Sequence, residues 1–324
     1  MADATAFRQP AGGAIGRTLR SLRSTPPGGK SRRTPSANFW LAVAPAIAIY
    51  SVFTIWPIAQ VVASSVTNAS GFGGTPDLVG LDNFVEIFGG DPELVEAAVH
   101  TAIYAFFLVI VQTILAFFIA VLLNKKVRGS SIYRAAFFAP IVISPVAVVF
   151  TWSFMFDPTT GTINSALRDL GLGSLAQDWL GNYDLALYSV IIVDLWSGIG
   201  FSIVIFLAGL GTIPIEVTEA ALVDGAGKWR TVTDITLPLM KPAFGLVAVL
   251  AINGALRAFN TVYLMTQGGP GNQTDLIMTR IFSEAFVRSH FGYASAIATL
   301  LVVVLVAVAA AQNRLDSKLV SENR

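Results

Sequence analysis

Six stretches of this 324-residue chain are apolar for long enough to cross a lipid bilayer: residues 39–66, 94–124, 133–156, 184–212, 242–266 and 292–312. A helix needs about 20 mostly apolar residues to span the hydrocarbon core. The pattern therefore predicts an all-α polytopic membrane protein with six transmembrane helices. Several runs exceed a perpendicular crossing, an excess that tilt or projecting helix ends absorb. Composition agrees, with 54% hydrophobic and 13% charged residues, against about 25% charged in soluble domains. So few charges exclude a nucleic-acid binder built on a basic face. The absence of cysteine excludes a disulfide scaffold and a cysteine-ligated metal site.

An even number of spans puts both termini on one side, and the placement of Lys and Arg says which. Seven bases lie in the N-terminal tail (Arg8, Arg17, Arg20, Arg23, Lys30, Arg32, Arg33). Four follow the second span (Lys125, Lys126, Arg128, Arg134), three follow the fourth (Lys228, Arg230, Lys241) and three lie at the C-terminus (Arg314, Lys318, Arg324). Only Arg168, Arg280 and Arg288 fall on the opposite side. Both termini are expected in the cytoplasm of a cell with this inner membrane. The first outer loop fits, since it carries Asp77, Asp82, Glu86, Asp91 and Glu93 and no base.

Residues 1–38, rich in Ser, Thr, Pro, Gly and Arg, cannot bury enough apolar surface to offset ordering and are read as a disordered basic cytoplasmic tail. Arg32-Arg33 before an apolar run has the form of a twin-arginine signal, but the run is too long for a signal core and five more spans follow. Asn68-Ala69-Ser70 and Asn272-Gln273-Thr274 are sequons too common to carry weight. The expected body is a transmembrane domain at 39–312, with a cytoplasmic loop at 213–241 and a C-terminal tail at 313–324.

That loop carries the most specific signal. Val217, Ala220, Ala221 and Asp224 recur at helical spacing, with Glu216 and Glu219 near the start where carboxylates suit the helix dipole. Gly225 and Gly227 permit a reversal, a second stretch runs from Trp229 to Thr236, and Pro238 and Pro242 lead into the next span. Pattern alone leaves open a loop lying on the membrane surface or a helix, turn and helix that enter a groove on a soluble partner.

The residues Glu219-Ala220-Ala221, Asp224-Gly225-Ala226, Ile235, Leu237-Pro238 and Pro242 stand in the order and spacing of the cytoplasmic signature of ABC importer permeases, and the chain resembles that family over residues 39–312. The resemblance implies that this loop is the coupling helix docked on an ATP-binding subunit, with Glu219 and Gly225 at its most characteristic positions. A second block, Thr266-Gln267-Gly268-Gly269-Pro270, Thr274, Ala285-Phe286 and Gly292-Tyr293-Ala294-Ser295-Ala296, resembles carbohydrate importers of the maltose and glycerol-phosphate type, and the first of their two permeases in particular.

The same resemblance implies substrate contacts at Ser197, Gly198 and Phe201 in the fourth span, within Trp196-Ser197-Gly198-Ile199-Gly200-Phe201. Its two glycines allow either close helix packing or local unwinding beside a cavity. In the fifth span the matching positions are Ala251, Gly254, Ala255 and Ala258, small where the maltose pattern has larger polar and aromatic residues. The space this leaves would admit a bulkier sugar or let Arg257 and Thr261 reach the ligand. Asn253 and Asn260 fall on another face of an ideal helix and rank lower.

Asp194 and Arg257 are ionisable residues inside spans, which default to a functional role. Either they neutralise each other within the bundle, or Arg257 lines the pathway and donates hydrogen bonds to sugar hydroxyls or a phosphate. No G-x-x-x-x-G-K-[ST] loop is present, so energy is expected from a separate subunit. His100 and His290, far apart in sequence, are expected near span ends and not as catalysts.

The resemblance implies a non-catalytic permease subunit that binds no cofactor of its own. The implied partners are a second homologous permease, two ATP-binding subunits carrying ATP and Mg, an external solute-binding protein, membrane lipid and a sugar. An ion-coupled secondary transporter or channel is the alternative, but such proteins usually need several bundle carboxylates and often inverted repeats. A polytopic membrane enzyme is weaker, because no nucleophile-base or metal pattern appears.

Overall fold

The computed structural model of the protein describes residues 37–71, 73, 75–124 and 130–322. The N-terminal tail up to residue 36 and the inner bases Lys125, Lys126 and Arg128 lie outside the described residues. Those that are described are overwhelmingly helical, and their one bridge pairs Thr67 with Leu78. The chain divides into two compact units, Met1–Pro57 and Ile58–Arg324. Within the first, Ala37–Tyr50 is an apolar helix that accommodates Pro45 and leads into a wide turn at Ser51–Ile55.

The second unit holds the remaining spans: Pro92–Leu123, Ala186–Leu210, Lys241–Thr266, Phe291–Gln312 and a bent pair, Ser131–Val142 with Pro145–Met155. Local chemistry sets several ends. Asp91 caps the second span by accepting a hydrogen bond from the Glu93 N–H at 3.0 Å, and Pro92 occupies the first helical turn, where its missing N–H costs nothing. The third span is not straight but turns by 101° between its halves. Ser144 is extended (φ −55°, ψ 133°), as a residue before proline tends to be, so the helix stops and restarts there.

Spans two and four pack along most of their length. At their inner half Phe117, Phe206 and Phe244 form a cluster with ring centroids 4.7 to 5.7 Å apart, and Ala116, Ala120 and Ile203 are buried around it. The fourth span runs unbroken from Ala186 to Leu210, so its glycines serve packing and not unwinding. A Cβ on Gly200 would collide with the Phe137 carbonyl of the third span.

The fifth span is interrupted as well. One helix ends at Leu256, another begins at Asn260, and Phe259 between them has left the helical region (φ −143°, ψ −54°). Between spans three and four, the 157–185 loop closes around buried Asn164, whose amide donates to the Pro158 and Gln177 carbonyls at 3.1 and 2.8 Å and whose oxygen accepts from the Trp179 indole at 2.9 Å. The last helix continues past the expected span end to Glu322.

An ionic cluster ties the start of span two to the start of span six through the short helix Ile277–Phe282. Arg280, 2% exposed, pairs with Glu284 at 2.8 Å, with Asp91 at 3.8 Å and with Glu93. Arg288 pairs with Glu93 at 2.8 Å and Glu284 at 3.2 Å, and His290 Nδ1 lies 3.0 Å from Glu284. The Tyr293 hydroxyl donates to Asp91 at 2.7 Å. Burial alone would raise the Asp91 pKa, but this hydroxyl, the Glu93 N–H and the Arg280 charge outweigh it and hold the carboxyl below the usual range. Burial likewise works against the Arg288 charge, and Glu284 and Glu93 more than compensate, so its pKa is raised. All three bases expected on the outer side are thus engaged, since Arg168 also donates to the Thr159 and Pro158 carbonyls at 3.1 and 2.8 Å.

Candidate functional site

A cavity of about 570 Å³ opens within the bundle, walled by spans two, three, four and five. Ser197, Gly198 and Phe201 line it from the fourth span, and Gly254, Arg257, Ala258 and Thr261 line it from the fifth. Ala251 is on the same wall, whereas Ala255 is 1% exposed and packed into the core. Tyr104 and Gln112 of the second span and Pro140 and Pro145 of the third also face the space. No sequence signal singled these out, because reaching the cavity depends on how the helices pack and how the third one bends.

Asn260 lies on the cavity wall as well, contrary to its position on an ideal helix. The reason is the break at Arg257–Phe259, which resets the angular register of everything after it. Asn253, before the break, instead donates to the Val249 carbonyl at 2.8 Å. Phe259 stacks on Tyr263 at 5.0 Å between centroids with ring planes 13° apart, which presents an aromatic face at the interruption.

Asp194 and Arg257 both line this cavity, yet no ion pair joins them among the described residues. Asp194 is held by two hydroxyls: Thr261 donates to Oδ1 at 2.7 Å and Tyr104 donates to Oδ2. Tyr104 is itself 1% exposed. A carboxylate accepting two such bonds is satisfied without a counter-ion. The triplet joins spans two and four to the second half of span five. Lower on the same wall, Gln112 donates to Ser202 at 3.2 Å.

The loop between spans four and five forms the second site. Its helix runs Ile215–Val223 and ends in a Schellman turn: Ala226 N–H bonds Ala221 C=O at 2.9 Å and Gly225 N–H bonds Leu222 C=O at 3.1 Å. Gly225 takes φ +80°, the left-handed region where only glycine is unstrained. Glu219, Ala220, Asp224 and Gly225 are exposed and only Ala221 is buried. Leu222 and Val223 are exposed too, Val223 at 87%, so this helix keeps no apolar face against its own chain beyond Ala221. It stands clear of the bundle. Trp229 stacks above Phe118 at 6.3 Å, and Leu237 and Pro238 line a shallow apolar groove with Lys241 and Phe244.

The Thr266–Pro270 block makes a tight outer turn after the fifth span. Gln267 and Gly268 are left-handed (φ 53° and 88°), and buried Thr274 bonds the Gly269 carbonyl at 2.8 Å and the Thr266 hydroxyl at 2.7 Å. Asp275 beside it is buried, which raises its pKa although Thr279 donates to it and Arg280 lies nearby. His100 Nδ1 meets the Asp275 carbonyl at 3.3 Å, so both histidines sit in hydrogen-bond networks near span ends. No cluster of metal-ligating side chains occurs among the described residues.

Residues 112–321 match the family described as binding-protein-dependent transport system inner membrane component. The chain belongs to this permease family. A probable ABC transporter permease of Bacillus subtilis is 33% identical over 84% of this chain and 94% of its own length. The diacetylchitobiose uptake system permease of Streptomyces coelicolor is 34% identical, covering 87% and 84%. The multiple sugar-binding transport system permease of Streptococcus mutans is 32% identical, covering 86% and 95%. A crystallised bacterial alginate ABC transporter chain shares the fold, with a TM-score of 0.76, 22% identity and coverage of 87% and 94%. The protein is accordingly a multi-pass membrane permease of the ABC importer type, and the ion-coupled alternative is set aside.

Proposed function

We propose that this permease forms one half of the translocation pathway of an ATP-driven sugar importer. The observation that carries the reading is the pairing of two features in one chain: a cavity at a broken span, and an exposed loop helix presenting the family signature. Relatives named for diacetylchitobiose, multiple sugars and glycerol 3-phosphate support a sugar or sugar derivative as cargo. A second permease would complete the pathway, and an external binding protein would deliver substrate. Two ATP-binding subunits carrying ATP and Mg would supply energy, this chain itself being non-catalytic. Both termini lie in the cytoplasm on the strength of the base distribution, with residues 1–38 and 313–324 as tails around the permease domain.

In this reading Glu219, Ala220, Ala221, Asp224, Gly225, Leu237 and Pro238 form the surface that engages an ATPase. ATP binding draws the coupling helices together and opens the cavity outward, and hydrolysis reverses the change, a two-state switch biased from both ends. Ser197, Gly198, Phe201, Gly254, Arg257, Ala258 and Thr261 form the substrate wall. The test is to purify the tagged permease with its ATP-binding subunit and measure coupled ATP hydrolysis for wild type and Glu219→Ala. Retained copurification and full uptake by Glu219→Ala would sink the coupling assignment.

A further inference from the structure

The cavity wall carries two charges with unequal obligations. Asp194 has both carboxylate oxygens occupied by hydroxyls of its own chain, Thr261 and Tyr104. Arg257 is exposed on the same wall, and no hydrogen bond or ion pair engages its guanidinium among the described residues. An arginine inside a span normally faces a partner or a wet cavity, and its planar fork of donors matches carboxylates and phosphates in two-point fashion. The residue ends the helix Lys241–Leu256, where the negative end of the helix dipole stabilises a cation without consuming its donors. One turn earlier, Gly254 has nothing within 4 Å of where a Cβ would stand, so the space beside the guanidinium is open.

From this geometry we infer that Arg257 makes the pathway selective for saccharides bearing an acidic substituent, a carboxylate or a phosphate ester. The inference rests on the sugar-import reading. The acid, although on the same wall, is pinned by its two hydroxyl donors, while the base is free to meet cargo. Asn260 at the same interruption adds an amide donor and acceptor for neighbouring hydroxyls, and the stacked Phe259 gives an apolar ring face for the sugar body. Neutral sugars would leave the guanidinium without a charged partner on the cavity wall, which discriminates against them.

The test has two stages on the complete transporter with its cognate binding protein. Thermal shift of the binding protein against maltose, digalacturonate and glucose 1-phosphate identifies the probe class it delivers. Uptake of the bound probe is then measured in proteoliposomes containing wild type, Arg257→Gln and Arg257→Lys. The expected result is capture of an acidic probe, uptake reduced by about tenfold or more in Arg257→Gln, and partial rescue by Arg257→Lys. Binding of maltose alone overturns the inference and leaves sugar import standing; binding of no saccharide overturns both. Wild-type uptake of the acidic probe by an assembled Arg257→Gln transporter also overturns it. So does loss of permease pairing in Arg257→Glu that an acid-to-base exchange on the second permease restores, which would make Arg257 an intersubunit charge.

Discussion

Replacing Arg280 by methionine removes the hub of the outer ionic cluster and leaves its acids behind. The side chain is 3% exposed, as is almost all of Glu284 at 2%, and the two are 2.8 Å apart. At about 4 Å and an effective dielectric near 20, such a pair is worth roughly 4 kcal/mol before desolvation. Breaking a buried pair by deleting one member costs about 3–5 kcal/mol, because the survivor stays charged and dry. Two features pull the expectation to the low end of that range. Glu93 is 38% exposed, so its share is screened, and Arg288 still reaches Glu284 at 3.2 Å and Glu93 at 2.8 Å. The expected loss is therefore about 3 kcal/mol, read as a lowered unfolding midpoint of the purified transporter. Glu284→Gln should also destabilise, and the double variant Arg280→Met with Glu284→Gln should fall short of the summed losses by about 1–3 kcal/mol. Strict additivity, or a wild-type midpoint for Arg280→Met, would refute the cluster as a cooperative unit.

Gly225→Ala forces a left-handed backbone onto a residue with a Cβ, at about 1–2 kcal/mol, and since nothing lies within 4 Å of that Cβ the damage is conformational. Yield of copurified ATP-binding subunit should drop, and an undiminished yield argues against the turn's importance. Tyr104→Phe and Thr261→Val each strip one donor from Asp194, at about 1–3 kcal/mol, so each should lower the unfolding midpoint, whereas Thr159→Val on the exposed outer loop should not. Asp275 and Asp91 should respond to acid in opposite senses. The Asp91 pKa is depressed, so its stabilisation holds above the ordinary 3.8 and is lost as pH falls through its folded value. The raised pKa of Asp275 means its ionised form costs stability above that raised value, and acidification toward 3.8 relieves the cost. Asp275→Asn should thus stabilise at neutral pH by an amount that shrinks on acidification, checked by unfolding midpoints across that window.

Spans and the loop signature were legible in the sequence because their causes are local or compositional. Lipid demands long apolar runs, and a left-handed C-cap demands a glycine such as Gly225. What was not legible depends on departures from regular helix or on distant partners. Pro140 and Pro145 advertise an irregularity, but prolines are tolerated in spans, and a turn of 101° depends on what packs around it. Asn260 was misplaced by projecting an unbroken helix across Arg257–Phe259. Asp194 and Arg257 invited pairing as opposite charges, whereas two hydroxyls from other segments already satisfied the acid. Arg280 looked like an outer-loop base, since its partners Asp91 and Glu93 lie almost two hundred positions earlier.

The cysteine-free chain offers a direct way to watch the outer rim. Arg280 and its acids fasten the outer ends of two helices into one block, so spin labels at Val95→Cys and Val287→Cys, both exposed positions, act as a fixed ruler. Their separation should stay constant through the transport cycle. A label pair bracketing the interruption in the fifth span becomes the moving gauge, calibrated against a ruler carried by the same molecule, with no native thiol to remove first.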